Sequence, residues 1–158
     1  MSHTPDWLKA GSNRDPIVQY ASSSALIHDT LVELMVRGVC VKYPRLKFVL
    51  AEFNAGWIAH WLDKVQQGWA REYAKDSSST PPVDVLELWK RQFYATIEDD
   101  IAALRTADMI GEETLLWGSD YPHTDSTWPC SAQVLDEMFE EYSAETRDKI
   151  TRTNVAKL

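Results

Sequence analysis

Apolar and polar positions recur along this chain in two rhythms, one with the spacing of a helix and one of short, nearly continuous runs. From Ala25 the spacing is helical: Leu31, Leu34 and Met35 share a face, and Gly38 stands where a helix would stop. Leu46 to Ala51, inside Pro44-Arg-Leu-Lys-Phe-Val-Leu-Ala-Glu52, is a short apolar run ending in an acid and reads as a buried strand. Trp57, Ile58, Trp61, Leu62, Val65, Trp69 and Tyr73 then return every three or four residues and mark one face of a long helix, a stripe that reads as core packing. Asp76 to Pro82 is a loop, Val83 to Lys90 a short helix, and Gln92 to Ile97 a second strand. That strand ends in Glu98, Asp99 and Asp100, which suit the dipole and cap of a helix from Ile101 to Ile110, closed by Gly111. Leu115 to Gly118 gives a third strand, and helices follow from about Ser131 to Tyr142 and from Ser143 onward. The first 23 residues show no period and read as an arm over residues 1–23, ahead of one domain over residues 24–158.

Strands alternating with helices predict an α/β fold with a parallel sheet. All three predicted strands then end in acids at one edge: Glu52, Glu98 with Asp99, and Asp120. One acidic strand end is ordinary, whereas three on one edge predict a cation site. The sharpest stretch is Leu115-Leu-Trp-Gly-Ser-Asp-Tyr-Pro-His123. Its apolar residues suit a strand buried on both faces, and Asp120 falls at the carboxyl edge, where parallel barrels assemble their chemistry. A carboxylate there can hold a metal or take a proton from water; the competing reading makes Asp120 a helix cap and His123 a solvated loop residue.

Composition narrows the function classes. The chain has 158 residues, enough for one domain with a core. A formal charge of -8, from 16 basic and 24 acidic residues, leaves no basic stripe for nucleic acid. No apolar run approaches a membrane span, and Met1-Ser-His-Thr-Pro-Asp lacks the regions of a signal peptide, so the expectation is a cytoplasmic protein acting on a small molecule. Cys40 and Cys130 read as reduced thiols, Cys40 buried.

Taken as a set, Gly38 through Glu52, Gly56-Trp57, Tyr94-Ala-Thr-Ile-Glu-Asp-Asp100 and Trp117-Gly-Ser-Asp-Tyr-Pro-His123 resemble the amidohydrolase-related family, in its branch with aminocarboxymuconate-semialdehyde decarboxylase-like enzymes. The resemblance implies a metal-dependent (β/α)8 barrel that hydrolyses, or decarboxylates without oxidation, small carboxylated or aromatic molecules. It places Asp120 at the family's metal-binding and proton-accepting acid, with zinc the expected divalent metal. Glu52 falls where decarboxylase relatives carry a histidine, which leaves it open as a ligand or a substrate contact, and Glu52, Asn54, Trp57 and His123 become candidate substrate contacts.

The family's His-x-His pair has no counterpart here, where the histidines are His3, His28, His60 and His123. His60 reads as an exposed helical residue, and His28, sharing a face with Leu31, Val32 and Met35, as packed or partly exposed. A complete barrel takes about 250 residues and eight strands. The expectation is therefore a partial TIM barrel, the last three βα units (strands 6 to 8) with the preceding helix. Three readings follow: a portion of a metal-dependent enzyme, one half of a split barrel completed by a complementary N-terminal chain, or a non-catalytic module that self-associates or binds partners through its open sheet edge.

Overall fold

The computed structural model describes residues 15–78 and 81–158. His3, most of the expected arm and positions 79 and 80 of the expected loop lie outside the described residues.

Asp15 accepts a hydrogen bond from the Ile17 N–H and starts helix α1 (Pro16–Ala21), which buries none of its residues. Helix α2 (Ala25–Val36) buries Leu31 and Met35, and Gly38 ends it in the left-handed conformation at φ 73°. A side chain would be strained at that φ, which is why glycine marks the stop. The chain turns at once into the one-turn helix α3 (Val39–Lys42), whose Cys40 is buried and free. Strand β1 (Phe48–Leu50) leads to the long helix α4 (Ile58–Lys75), and helix α5 (Val85–Gln92) runs without a break into strand β2 (Phe93–Ile97).

The helix expected over 101–110 is two helices, α6 (Ile101–Arg105) and α7 (Ala107–Ile110). Thr106 separates them: its Oγ1 donates back to the Ala102 carbonyl at 2.9 Å, a local bond that competes with the helix. Strand β3 (Leu115–Trp117) follows a 3-10 turn at Glu112–Thr114. Helix α8 (Ser131–Met138) stops four residues before the expected Tyr142, and helix α9 (Ala144–Asp148) passes into a π-helical turn at Lys149–Thr153.

The sheet is parallel throughout, in the order β1-β2-β3. The register pairs Leu50 with Ala95 and Ala95 with Leu115, so these three residues share a face and all are buried. In the same core, Ile58, Trp61, Leu62, Val65 and Trp69 of the predicted stripe are buried as expected, while Trp57 and Tyr73 at its ends are only partly buried. Trp89 of α5 stacks on Phe93 with ring centroids 5.3 Å apart, and its indole N–H donates to Thr114 Oγ1 at 3.2 Å, so its burial strands no polar atom. Each such large apolar side chain contributes roughly 1.5–3 kcal/mol by leaving water. Buried Gln92 donates to the Tyr43 and Leu46 carbonyls at 2.9 and 3.0 Å, fixing the approach to β1. The opposite sheet face carries Val49, Tyr94, Thr96 and Leu116 by the same register, and Val49 is 50% exposed.

Candidate functional site

The three strands deliver their acids to one place. An open cleft of about 900 Å³ lies at the carboxyl edge of the sheet, lined by Glu52 after β1, Glu98 to Asp100 after β2, and Asp120, His123 and Asp125 after β3. Among its described lining residues are six carboxylates, one imidazole and no Lys or Arg. Such a cleft attracts cations and repels anions.

The backbone is strained where it delivers these groups. Glu52, Asn54 and Asp120 all have left-handed backbones, at φ 66°, 52° and 57°, and all line the cleft. Positive φ at a non-glycine residue costs of order 1–3 kcal/mol and persists only where neighbours over-determine it. Here β2 does so: the Glu52 N–H donates to Thr96 Oγ1 at 3.0 Å, and the Glu98 N–H donates to Asn54 Oδ1 at 3.4 Å. On the other side, Ser126 Oγ donates to the Ser119 carbonyl at 2.7 Å, and the Thr127 N–H donates both to that carbonyl and to Glu98 Oε1, each at 3.1 Å.

Glu52, Asp120 and His123 each bring a ligand atom within 4.8 Å of one another's. Asp120 is the more sheltered of the central pair, its side chain 17% exposed against 57% for His123, and the two are joined by a 2.8 Å contact from Nδ1 to Oδ2. That hydrogen bond and the charge of Asp120, with smaller help from Glu52 and Asp125, hold the His123 pKa above its usual value. Two carboxylates and an imidazole form a donor set for a borderline or hard divalent cation, and their mutual distances let one ion touch all three, so the residues fit such a group. A cation held there would compete with the proton on His123, so it would bind best where His123 is neutral.

Glu98, read from sequence as one of the strand-end acids of a cation site, lines the cleft but lies outside the Glu52, Asp120 and His123 cluster. Its pKa is pushed up to about 7 by partial burial and by Asp120, Asp99 and Asp125, against the opposing hydrogen bond from Thr127. Tyr20, on the exposed helix α1, also reaches the lining, and its hydroxyl is held above its usual pKa by burial and by Asp99, Asp125, Glu98 and Asp120. Nothing in the local pattern of residues 16–24 announces this, because the contact joins positions about a hundred residues apart.

Trp57 lines the cleft and donates its indole N–H to the Phe53 and Asn54 carbonyls at 2.9 and 3.2 Å. Asn54 lines it too, with its side chain spent on β2 as described. His60 is exposed on α4, away from the lining. His28 packs against Trp57 with its ring tilted by 37° and centroids 4.4 Å apart, and its buried Nε2 has no partner; burial lowers its pKa. Asp100, expected as a helix cap, caps α6 through the Ala103 N–H at 3.0 Å.

Comparison with known proteins identifies the family and the fold. A family model described as amidohydrolase matches residues 5–158. The fold is similar to that of an amidohydrolase from Mycobacterium avium subsp. paratuberculosis, with a TM-score of 0.73 and 22% identity over 93% of this chain and 36% of that one. It is similar to a 5-carboxyvanillate decarboxylase from Novosphingobium aromaticivorans, solved with manganese, with a TM-score of 0.71 and 19% identity over 90% of this chain and 43% of that one. A dihydroxybenzoic acid decarboxylase from Polaromonas sp. JS666, also solved with manganese, has a TM-score of 0.67 and 17% identity over 92% of this chain and 47% of that one. This chain thus spans between a third and a half of the length of these solved relatives. No curated protein matches it.

Proposed function

Because the chain belongs to the amidohydrolase family, we propose that it supplies the metal-binding acid and part of the substrate pocket of a metal-dependent hydrolase or non-oxidative decarboxylase. The observation that carries this reading is the convergence of Glu52, Asp120 and His123 within 4.8 Å at the carboxyl edge of a parallel sheet. These three residues would hold a divalent cation. Zinc is the expectation from sequence, whereas the two carboxylates and the manganese in the solved decarboxylases favour manganese. Bound there, the cation would polarise a substrate carbonyl or carboxylate oxygen and make a coordinated water more acidic.

The chain's own groups then divide the work. Asp120 accepts the proton of the attacking water in hydrolysis, or orients the substrate in decarboxylation. Glu98, with its pKa near 7, can deliver or receive a proton around neutral pH. Trp57 offers a flat apolar wall for an aromatic substrate. A carboxylated substrate has no Lys or Arg to meet among the described lining residues, so its acceptance depends on a cation in the cleft.

We read the three strands as strands six to eight of a (β/α)8 barrel, completed by strands this chain does not supply. The exposure of Val49 on β1 and the lack, among the described residues, of a second neighbour for β1 and β3 favour such completion, by a complementary chain or by self-association. With two free cysteines, the cytoplasm is the compartment that fits. Among the described residues no helix is long and apolar enough to cross a membrane.

Calorimetric titration of the purified chain with Mn2+, and separately with Zn2+, tests the reading. One ion per chain is expected, bound more tightly as pH rises and His123 loses its proton. Asp120→Asn should weaken binding by at least about 10-fold. Equal affinity in wild type and variant would overturn the assignment.

A further inference from the structure

We propose that Asp100 is a positioning residue for the Glu52 carboxylate, an inference that rests on the metal reading above. Asp100 uses its two oxygens for different purposes. Oδ1 caps α6 through the Ala103 N–H. Oδ2 accepts hydrogen bonds from two consecutive backbone N–H groups of another segment, Ala55 and Gly56, each at 2.7 Å. A cap explains the first oxygen and leaves the second unexplained.

The second oxygen grips the far end of the loop that presents Glu52. That loop holds two non-glycine left-handed residues within three positions, Glu52 and Asn54. Released from its supports, it would relax toward ordinary φ values and swing the Glu52 side chain away from Asp120 and His123. Thr96 secures its start and Asp100 secures its end. The grip is close as well as polar: a Cβ on Gly56 would lie 2.6 Å from Ala102 Cβ and 2.9 Å from Asp100 Oδ1. Hydrogen bonds to an ionised acceptor are about twice as strong as neutral ones, so the clamp is suited to holding strain. Asp100, with both oxygens engaged by backbone N–H groups, thereby acts through Glu52.

Asp100→Ser separates the two roles. A serine oxygen can still cap α6, but one short side chain cannot also reach Ala55 and Gly56. Mn2+ affinity of the full chain is measured by calorimetry for wild type, D100S, E52Q and the double variant, with thermal melts confirming the fold and amide exchange read at Ala55 and Gly56. D100S should bind Mn2+ about 10-fold more weakly than wild type, exchange faster at those two amides, and cause no further loss once Glu52 is already Gln. If E52Q weakens binding while D100S leaves both affinity and exchange unchanged, or adds its full loss on top of E52Q, Asp100 does not act through Glu52 and the proposal is overturned while the metal reading stands. E52Q binding Mn2+ as tightly as wild type would overturn the role of Glu52 as a ligand, and this proposal with it.

Discussion

Position, more than residue type, decides how each carboxylate of the cleft behaves. Glu98 is moved by partial burial and by three neighbouring acids from its ordinary value near 4.5 to about 7. Folding therefore makes this group bind its proton more tightly than the unfolded chain does. Its contribution to stability is fully present below about pH 4.5 and is lost as pH rises through about 7. Glu98→Gln carries no charge yet keeps an amide oxygen to accept the Thr127 N–H. With metal chelated and ionic strength low, the variant should melt a few degrees higher than wild type at about pH 8 and at the same temperature at about pH 4. A melting difference that does not change between these two pH values would show that the crowding of negative charge around Glu98 is not felt.

At the scale of elements, the cleft depends on how closely the β1–α4 loop approaches α6. Gly56 permits this approach: an added Cβ would sit 2.6 Å from Ala102 Cβ and 3.2 Å from the Ala103 backbone nitrogen, neither of which can swing aside. Gly56→Ala should cost about 1–3 kcal/mol in urea unfolding, the usual range for overpacking. A cost within error of zero would mean that the loop shifts freely and that its grip on Glu52 is loose. The same contrast between local and long-range causes separates what could be read from the sequence from what could not. The stop at Gly38, the buried α4 stripe and the three strands in order were legible, because each is written in spacing or in a residue with restricted backbone preferences. Glu52, Glu98 with Asp99, and Asp120 were legible as one edge because parallel strands must end on the same side, and His123 only as the residue that follows Asp120 in its motif. The break at Thr106 was not, since periodicity reports which face is apolar and says nothing of whether the backbone continues. Neither was the second oxygen of Asp100, nor Tyr20 at the cleft, because both meet partners far away in sequence.

At the scale of the whole molecule, a three-stranded parallel sheet has two outer strands, and each carries backbone groups that its one neighbour does not use. β1 is the more inviting of the two. Its Val49 is 50% exposed, and Leu46 and Tyr43 just before it are 46% and 51% exposed. The face that would line a barrel interior has exposed Val49 on β1, beside Tyr94, Thr96 and buried Leu116, so apolar surface and an unpaired strand occur together at β1. Proteins commonly guard such edges with lysine or proline, and none occurs within Phe48–Leu50. The formal charge of -8 opposes association at long range, but its cleft-lining part sits at the carboxyl end of the strands, and no charged residue lies within Phe48–Leu50. In sedimentation velocity the chain is therefore expected to associate as concentration rises, more strongly in added salt, which screens the net repulsion. Val49→Lys places a charge on the open edge and should shift the population toward monomer with an unchanged circular dichroism spectrum. A wild-type chain that stays monomeric at high concentration and in added salt would show that β1 is not used for pairing with itself, and would leave a complementary chain as the means of completing the barrel.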